Sequence, residues 1–453
     1  MEIANQKILV IGLAVSGMST VNILHGLGAQ VKVNDRKTQD KLQKAAARLK
    51  SMGVEYLLGG HPVELAAWPD FAVISPGVPM DIPMVQAIKR RGKEVISEVE
   101  MAYRLTCTPM IAITGTNGKT TTTALTGEIF SLSGRKAHVV GNIGAPVIEV
   151  ATNSKPEDIL IAEISSFQLE GIRDFKPVTS AILNITPDHL DRHKTFDNYV
   201  EVKAKIFENQ NDGECVILNA DDPYTARLAG RCRAKVLHIS RRDILENGAF
   251  VEGEHIIVKK GKKTERVCRV SKLKIRGDHN IENALAATAM AWSMDVPLKT
   301  VGDALAGFEG VEHRLEYVDT VNSVVYINDS KGTNPDASIK AVKAIDKQIV
   351  LIAGGYDKGG EFDGFVDGFE GKVKGVVLIG ATAKKIQKSC QRKNINNIYI
   401  AEDMHEAVTC AASIAAAGDT VLLSPACASW DMYNSFEERG QEFKKAVGLL
   451  RRI

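Results

Sequence analysis

The segment 114–122, Thr-Gly-Thr-Asn-Gly-Lys-Thr-Thr-Thr, constrains the fold of this chain most strongly, because it directly follows the apolar run from Met110 to Ile113. A strand that ends in a glycine-rich turn before a helix directs backbone N–H groups and the positive end of the helix dipole at one point. Lys119 adds a positive charge for phosphates, and Thr120 offers a hydroxyl to Mg²⁺. The segment predicts a site for a nucleoside triphosphate and a metal ion.

This loop departs from the general pattern G-x-x-x-x-G-K-[ST], because Ile113 stands at the first glycine position. The alternative interpretation is an ordinary strand-to-helix turn with a capping threonine. Two glycines, a lysine and a threonine together in one such turn favour the nucleotide site. The residues expected to contact the nucleotide in this loop are Gly115, Thr116, Asn117, Gly118, Lys119, Thr120 and Thr121.

Composition limits the classes of function. The net charge of +2 and the absence of long basic runs argue against nucleic-acid binding. The seven cysteines form no C-x-x-C pair, which argues against a disulfide framework or a zinc cluster and favours a reducing cytoplasm. No leader sequence and no apolar run of membrane-spanning length are evident, so we expect a cytoplasmic protein without a membrane span.

Short apolar strands alternate with helical patterns along most of the 453 residues, which predicts parallel α/β sheets in three domains. Residues 1–107 are expected to form an N-terminal Rossmann-like parallel sheet. Residues 108–310 are expected to form a central P-loop ATPase-type α/β domain, with a small β insert between Val236 and Ile275. Residues 311–453 are expected to form a C-terminal Rossmann-like α/β domain.

The first strand ends in Gly-Leu-Ala-Val-Ser-Gly at 12–17, which approximates a dinucleotide fingerprint with alanine at the middle glycine position. An NAD site, a site for another diphosphate ligand such as a nucleotide sugar, and a structural turn are the three interpretations. A second turn at 75–79 ends another strand at the same sheet edge, which favours a ligand. The candidate residues are Gly12, Ala14, Ser16, Gly17, Asp35, Ser75, Pro76 and Gly77.

Polar side chains also follow strands of the central domain. Glu163 stands where a carboxylate holds Mg²⁺ beside a P-loop, although a strand-end glutamate can instead cap a helix. His189 lies in a polar cluster after another strand, as a metal ligand or as a structural histidine. Lys203 and Lys205 lie on different faces of a predicted helix, and the pattern assigns a role to neither.

Three strands of the third domain end in polar loops at one sheet edge. The loop at 328–335 combines Asp329, Lys331 and a helix N-terminus, which suits an anionic substrate. The loops at 354–358 and 423–429 end two further strands, so we expect the three to converge. Cys427 has no evident histidine partner, and a buried thiol is the favoured interpretation over a nucleophile.

Seven motifs follow one another along the chain: Gly115–Thr120, Glu163–Leu169, Asp188–Arg192, His279-Asn280-x-x-Asn283, His313-Arg314, Asn328–Asn334 and Ser424–Ser429. Through these motifs the chain resembles the Mur ligases of peptidoglycan synthesis over its whole length. Its closing segment 429–440 is similar to that of the D-glutamate-adding members, and it lacks the Asp-Asn-Pro-Arg motif of the diaminopimelate-adding ones.

The resemblance implies an ATP-dependent amide ligase that forms an acyl phosphate. ATP would phosphorylate the C-terminal carboxylate of UDP-N-acetylmuramoyl-L-alanine, and the amine of D-glutamate would displace the phosphate. The enzyme would act in the cytoplasm as a monomer, with Mg²⁺.

The resemblance also implies roles for individual residues. Lys119 and Thr120 would hold the phosphates and the metal, and Glu163 and His189 would bind Mg²⁺. Lys203 matches a lysine that is carbamylated in this family, which makes it a catalytic residue and a fourth metal ligand beside Thr120. The remaining matches are Asn283, Arg314 and Asp329 for ATP, Asn142 with the N-terminal loops for the UDP-substrate, and Lys331, Thr333, Lys358, Ser429 and Phe436 for D-glutamate.

Two other functions compete with this one. A folylpolyglutamate synthetase also joins glutamate through an acyl phosphate, but it would not need a nucleotide-sugar domain. An NAD-dependent oxidoreductase fused to a P-loop domain is a rival of another class, and Ala14 in the fingerprint argues against it.

Overall fold

The computed structural model describes residues 2–275, 277–357 and 359–451. Contacts divide the chain into two compact units, Met1–Leu273 with Ile281–Phe308, and Lys274–Asn280 with Glu309–Ile453. The first unit carries two sheets and the second carries one. The predicted α/β class is confirmed, and the domain boundaries after residues 107 and 310 remain a prediction. Among the described helices, none has both the length and the apolar character that a membrane crossing requires.

The N-terminal sheet consists of five parallel strands in the order β3-β2-β1-β4-β5. Residues 8–11 of the central strand are all buried, as expected for a parallel strand with helices on both faces. The strands are β1 (Lys7–Ile11), β2 (Gln30–Asp35), β3 (Glu55–Leu58), β4 (Phe71–Ile74) and β5 (Val95–Ser97), and the helices are α1 (Val15–Gly26), α2 (Gln43–Ser51), α3 (Pro83–Arg90) and α4 (Glu98–Leu105).

The strand order of this sheet reverses at β1, which pairs with β2 on one side and β4 on the other. Loops that follow the two strands beside such a reversal diverge to form a crevice. The Ser75 hydroxyl after β4 donates a hydrogen bond to the Gly12 carbonyl after β1 at 2.9 Å. The predicted adjacency of these two loops is therefore confirmed.

The central sheet has nine strands in the order β14-β13-β12-β11-β10-β9-β6-β8-β7. The strands are β6 (Met110–Thr114), β7 (Ala137–Gly141), β8 (Ile159–Glu163), β9 (Thr179–Ile182), β10 (Cys215–Asn219), β11 (Lys235–Ser240), β12 (Asn247–Glu252), β13 (His255–Lys260) and β14 (Lys263–Arg269). The helices are α5 (Lys119–Leu132), α6 (Val147–Ala151), α7 (Ser166–Leu169), α8 (Leu190–His193), α9 (Phe196–Ala204), α10 (Pro223–Leu228), α11 (Asp278–Ser293) and α12 (Leu298–Gly307).

The predicted β insert continues the central sheet. Strand β11 pairs in parallel with β10, and β12 pairs in parallel with β11. The antiparallel pairs are β12 with β13 and β13 with β14. The alternating pattern identified the antiparallel strands, but it contained no information on the main-chain hydrogen bonds that join them to the central sheet.

The third sheet has six strands in the order β15-β16-β20-β17-β18-β19. The edge strand β15 was not predicted from the sequence, because residues such as Tyr317 are exposed in it and its apolar signal is weak. The strands are β15 (Glu316–Val321), β16 (Val324–Asn328), β17 (Ile349–Gly354), β18 (Val373–Ile379), β19 (Ile398–Ile400) and β20 (Thr420–Leu423), and the helices are α13 (Pro335–Lys343), α14 (Asp363–Asp367), α15 (Ala383–Arg392), α16 (Met404–Ile414) and α17 (Phe436–Leu450).

Within the first unit, buried carboxylates join helix α4 to the central sheet's flanking elements. Glu100 accepts backbone N–H bonds from Arg173, Asp174 and Phe175 at 2.8 to 3.1 Å. Glu98 accepts one from Ile148 of α6 at 2.7 Å, while its second oxygen has no hydrogen-bond partner among the described residues. Burial therefore raises the pKa of the Glu98 carboxyl to about 7.

We predict that Glu98 makes stability fall as pH rises. The folded carboxyl binds its proton more tightly than the unfolded one, whose pKa is about 4.5, so this contribution is lost between pH 4.5 and 7. The free energy of unfolding of Glu98→Gln minus that of the wild type should increase by about 3 kcal/mol from pH 4 to pH 8. Denaturant unfolding across this range measures the difference.

Glu128→Gln is the matched control, because Glu128 is exposed on α5. Its stability difference from the wild type should stay constant over the same pH range. A constant difference for Glu98→Gln as well would contradict the prediction.

Candidate active site

The glycine-rich loop between β6 and α5 depends on two glycines with positive φ. Gly115 has φ +152° and Gly118, directly before α5, has φ +85°. A Cβ atom on Gly118 would lie 2.3 Å from Oδ1 of Asn283 on α11. The same oxygen accepts a hydrogen bond from Thr122 at 3.1 Å. The loop thus packs closely against a side chain that was predicted to contact the nucleotide.

The side chain of Lys119 folds back over this loop. Its Nζ donates hydrogen bonds to the carbonyl oxygens of Gly115 at 2.9 Å and Thr116 at 2.8 Å. The side chains of Thr120 and Thr121, which follow in the first turn of α5, are buried. A cation, hydroxyl groups and the N-terminus of a helix therefore meet in one turn, which is the chemistry that binds phosphate.

The loop after β9 fixes the shape of the glycine-rich loop. The Asn184 side chain accepts a hydrogen bond from the Asn117 N–H at 2.9 Å and donates one to the Asn117 carbonyl at 3.1 Å. The Thr116 N–H donates to the Asn184 carbonyl at 2.9 Å. Sequence analysis assigned no role to Asn184, although its position at the end of a strand beside β6 was a usable signal.

Glu163 ends β8, which pairs with β6, and its side chain is buried. Oε1 accepts a hydrogen bond from Asn142 Nδ2 at 2.8 Å, and Oε2 has no hydrogen-bond partner among the described residues. A buried carboxylate oxygen without a partner is costly in free energy, and hard cations such as Mg²⁺ prefer such oxygens. The structure brings Asn142, predicted to contact the UDP-substrate, directly against this carboxylate.

His189 lies in an exposed position with φ +53° at the start of α8. Its ring packs against Phe167 with 4.8 Å between centroids. Its Nε2 lies 3.6 Å from a carboxylate oxygen of Asp188. These contacts leave the histidine accessible, as a ligand for a metal or substrate must be.

Lys203 on α9 is 1% exposed, and its Nζ donates to the Gly115 carbonyl at 2.8 Å. The Tyr199 ring lies 4.7 Å from this Nζ. Burial, and then the charge of Lys119, hold the pKa of the Lys203 ammonium well below its usual range. Lys205 lies in the next turn, partly buried beside the Glu170 carbonyl at 3.5 Å. Of the two lysines that the helical pattern could not distinguish, the structure thus places Lys203 against the glycine-rich loop and Lys205 away from it.

The N-terminal candidates lie together at the carboxyl edge of their sheet. The Asp35 carboxylate accepts N–H bonds from Leu13 and Lys37, both at 2.7 Å, and so orders the loop after β1. A Cβ on Gly17 would lie 1.9 Å from the Gly12 carbonyl oxygen, which explains the glycine. The other candidates lie at the loop ends around α1 and β4. Ala14 precedes α1, Ser16 lies in its first turn, and Pro76 and Gly77 lie in a turn closed by a bond from Val78 N–H to the Ser75 carbonyl at 3.0 Å.

In the second unit, Asp329 follows β16 and is buried. It accepts a hydrogen bond from the Ser424 hydroxyl at 2.7 Å. Burial raises the pKa of its carboxyl to about 6, against the opposing effects of that bond and of the Arg314 charge. Cys427 is also buried, which raises the pKa of its thiol to about 11 and agrees with the predicted buried thiol.

The predicted D-glutamate residues lie on loops at the ends of β16 and β20 and at the start of α17. Lys331 Nζ lies 5.1 Å from the centroid of the Phe436 ring. The Thr333 N–H donates to the Lys331 carbonyl at 2.8 Å, and Ser429 is buried. Lys358, predicted for the same pocket, lies outside the described residues.

The glycine-rich loop after β6, with Lys119 folded over it and Glu163 at the end of the neighbouring strand, places the chain in the class of proteins with a P-loop-type strand, loop and helix. Three family models match the chain: "Mur ligase MurD-like, N-terminal domain" at residues 6–97, "Mur ligase middle domain" at 113–291 and "Mur ligase, glutamate ligase domain" at 313–427. The chain belongs to the Mur ligase family.

Curated relatives named UDP-N-acetylmuramoylalanine--D-glutamate ligase match over the full length of both chains. The protein from Alkaliphilus metalliredigens is 50% identical over 455 residues, with 100% of each chain covered. The protein from Clostridioides difficile is 47% identical over 453 residues, again with 100% of each covered.

Solved structures share the fold. The UDP-N-acetylmuramate-alanine ligase of Thermotoga maritima superposes with a TM-score of 0.60 at 19% identity, covering 98% of this chain and 99% of its own. A pseudomurein peptide ligase type C from Methanothermus fervidus gives a TM-score of 0.60 at 21% identity, with the same coverage.

We predict that Gly118→Ala lowers nucleotide affinity at least about 10-fold, because the new Cβ would collide with Asn283 and displace the loop. Gly134→Ala is the control. Gly134 also has φ +85°, but a Cβ atom added there would meet nothing within 4 Å, so it incurs the same backbone strain, about 1 to 2 kcal/mol, without the collision. Calorimetric titration with ATP measures both affinities. Equal affinities in the two variants would contradict the collision.

Proposed function

We propose that this chain is an ATP-dependent ligase that joins D-glutamate to UDP-N-acetylmuramoyl-L-alanine in peptidoglycan precursor synthesis. The family membership and the full-length relatives at 47 to 50% identity support the reaction. One observation carries the proposal: Lys119 and the buried Lys203 both donate a hydrogen bond to the Gly115 carbonyl. Two amino groups on one phosphate-binding loop suit the transfer of a phosphoryl group to a carboxylate.

The reaction proceeds in two steps. The substrate carboxylate attacks the γ-phosphorus of ATP, so that a C–O–P bond forms and ADP leaves. The D-glutamate amine then attacks the acyl carbon, the amide C–N bond forms, the amine loses a proton and phosphate leaves. Backbone N–H groups of the loop and Lys119 offset the negative charge that concentrates where two anions react.

The residues around the loop fit Mg²⁺. Glu163 has a buried oxygen without a hydrogen-bond partner among the described residues, and Thr120 supplies a hydroxyl next to Lys119. Together with His189 and Lys203 they would hold the ion, which when bound neutralises phosphate charge. Asn283, Arg314 and Asp329 are proposed to contact ATP.

Lys203 is proposed to carry a carbamate. Its depressed ammonium pKa favours the neutral amine, which attacks CO₂ so that an N–C bond forms and the nitrogen loses a proton. The product is an anion with two oxygens. This change would turn a buried amine beside Lys119 into an anionic oxygen ligand.

The two other substrates are assigned to loops at the ends of strands in the N-terminal and third sheets. The loops at 12–17 and 75–77, with Asp35 and Asn142, are proposed to bind the UDP-substrate. The residues Lys331, Thr333, Lys358, Ser429 and Phe436 are proposed to bind D-glutamate. We propose that the enzyme acts as a cytoplasmic monomer, with the domain boundaries predicted from its sequence.

The proposed reaction predicts that phosphate is released from ATP only when UDP-N-acetylmuramoyl-L-alanine and D-glutamate are both present. A coupled phosphate assay with each substrate omitted in turn measures this dependence. Equal rates with L-glutamate or with a diamino acid would contradict the substrate assignment. Activity on a folate substrate would support the folylpolyglutamate synthetase alternative instead.

Lys203→Ala should lose at least about 100-fold in kcat, the scale of removing one essential electrostatic group. Acetate or formate should restore part of the activity by supplying a carboxylate in the vacated space, and bicarbonate should not. Lys205→Ala, the control two residues away, should keep its activity because Lys205 contacts the Glu170 carbonyl and not the loop. Full activity of Lys203→Ala would remove this lysine from the mechanism.

A further inference from the structure

Arg439 on α17 is 1% exposed, which is unusual for a guanidinium group. Its Nε donates to the Ser330 hydroxyl at 3.0 Å. Its Nη2 donates to the carbonyls of Ser330 at 2.8 Å and Cys427 at 3.1 Å. Every one of these acceptors is an uncharged oxygen, so these hydrogen bonds do not neutralise the positive charge.

The third nitrogen, Nη1, has no hydrogen-bond partner within the described ranges. Asp431 and Asp329 act on the guanidinium only through charge, without a hydrogen bond. Burial lowers the pKa of Arg439 to about 10, so the group is still a cation at neutral pH. A buried charge that lacks a paired counter-ion destabilises a fold, and such costs persist mainly at functional sites.

The position of Arg439 relates it to the proposed D-glutamate pocket. It contacts the loop after β16 through Ser330 and the loop after β20 through Cys427. Its Nη1 lies 3.1 Å from the position that a Cβ atom would occupy on Gly355, in the loop after β17. These three strands are neighbours in the sheet. One buried cation therefore underlies the three loops that the sequence predicted to converge.

We propose that Arg439 is a positioning residue that makes this pocket selective for an anionic amino acid. The inference rests on the proposed function, because it concerns the amino-acid substrate of the same reaction. The hydrogen bonds of Arg439 hold the backbone at Ser330, directly before Lys331, and at Cys427, two residues before Ser429. Its charge acts through a poorly polarisable interior, where charge interactions reach further than in water. D-glutamate brings two carboxylates toward that charge.

The test compares Arg439→Gln, which keeps hydrogen-bond donors but loses the charge, with Arg439→Lys, which keeps the charge. Arg439→Gln should raise KM for D-glutamate about 10-fold, the effect of two unit charges about 10 Å apart at an effective dielectric constant of about 20. KM for ATP and for the UDP-substrate should change less than about 2-fold. Arg439→Lys should stay within about 3-fold of the wild type for all three.

Phe443→Leu is the structural control, because Phe443 is buried on the same helix. It should lower the melting temperature and leave KM for D-glutamate unchanged. A similar rise in KM in Arg439→Gln, Arg439→Lys and Phe443→Leu, or the loss of cooperative unfolding in both arginine variants, would make Arg439 purely structural and overturn the inference.

The two proposals fail in different ways. A wild-type enzyme that does not use D-glutamate contradicts the proposed function. An active wild type and an Arg439→Gln variant with unchanged KM for D-glutamate overturn only the role of Arg439.

Discussion

The hydrogen bond between Lys203 Nζ and the Gly115 carbonyl is the interaction on which the site in the first unit depends. It fixes the end of α9 to the first glycine of the phosphate-binding loop, and it places a second amino group beside Lys119. The loop is also held by Asn184, which follows the neighbouring strand β9. Because hydrogen bonds from both residues hold it, the loop is constrained in shape before any ligand binds, which reduces the entropy lost on binding.

Several buried ionisable groups of the molecule have only some of their polar atoms hydrogen-bonded. Glu163 and Glu98 each leave one carboxylate oxygen without a hydrogen-bond partner among the described residues, and Arg439 leaves one nitrogen. A fold optimised only for stability would replace or pair these groups. Their distribution instead follows the ends of parallel strands and one contact between α4 and α6. Of these three groups, Glu163 and Arg439 lie at the proposed cation site and beside the proposed D-glutamate pocket.

Much of the fold could be predicted, because parallel strands buried on both faces show as continuous apolar runs and the loops after them show as polar clusters. Edge strand β15 was missed since only Val321 of its six residues is buried, which weakens the apolar pattern. The connection of β12 to β11 was missed because main-chain pairing leaves no trace in side-chain type. Helical periodicity could not distinguish Lys203 from Lys205, since the choice depends on which face of α9 meets β6, a tertiary fact. The contacts of Arg439 could not be predicted for the same reason, whereas the position of Asn184 at the end of the strand beside β6 was a usable signal.

The amide of Asn142 donates its hydrogen bond to Glu163, and the two residues are also joined by a main-chain bond at 2.9 Å. Asn142 is the residue proposed to meet the sugar nucleotide, and Glu163 is the one proposed to meet the cation. A ligand that engaged the Asn142 amide would release one carboxylate oxygen of Glu163 from this hydrogen bond and leave it open to a divalent ion. By thermodynamic reciprocity, an ion bound there would strengthen the binding of that ligand by the same factor. One hydrogen bond would thus couple the affinities of the two proposed sites.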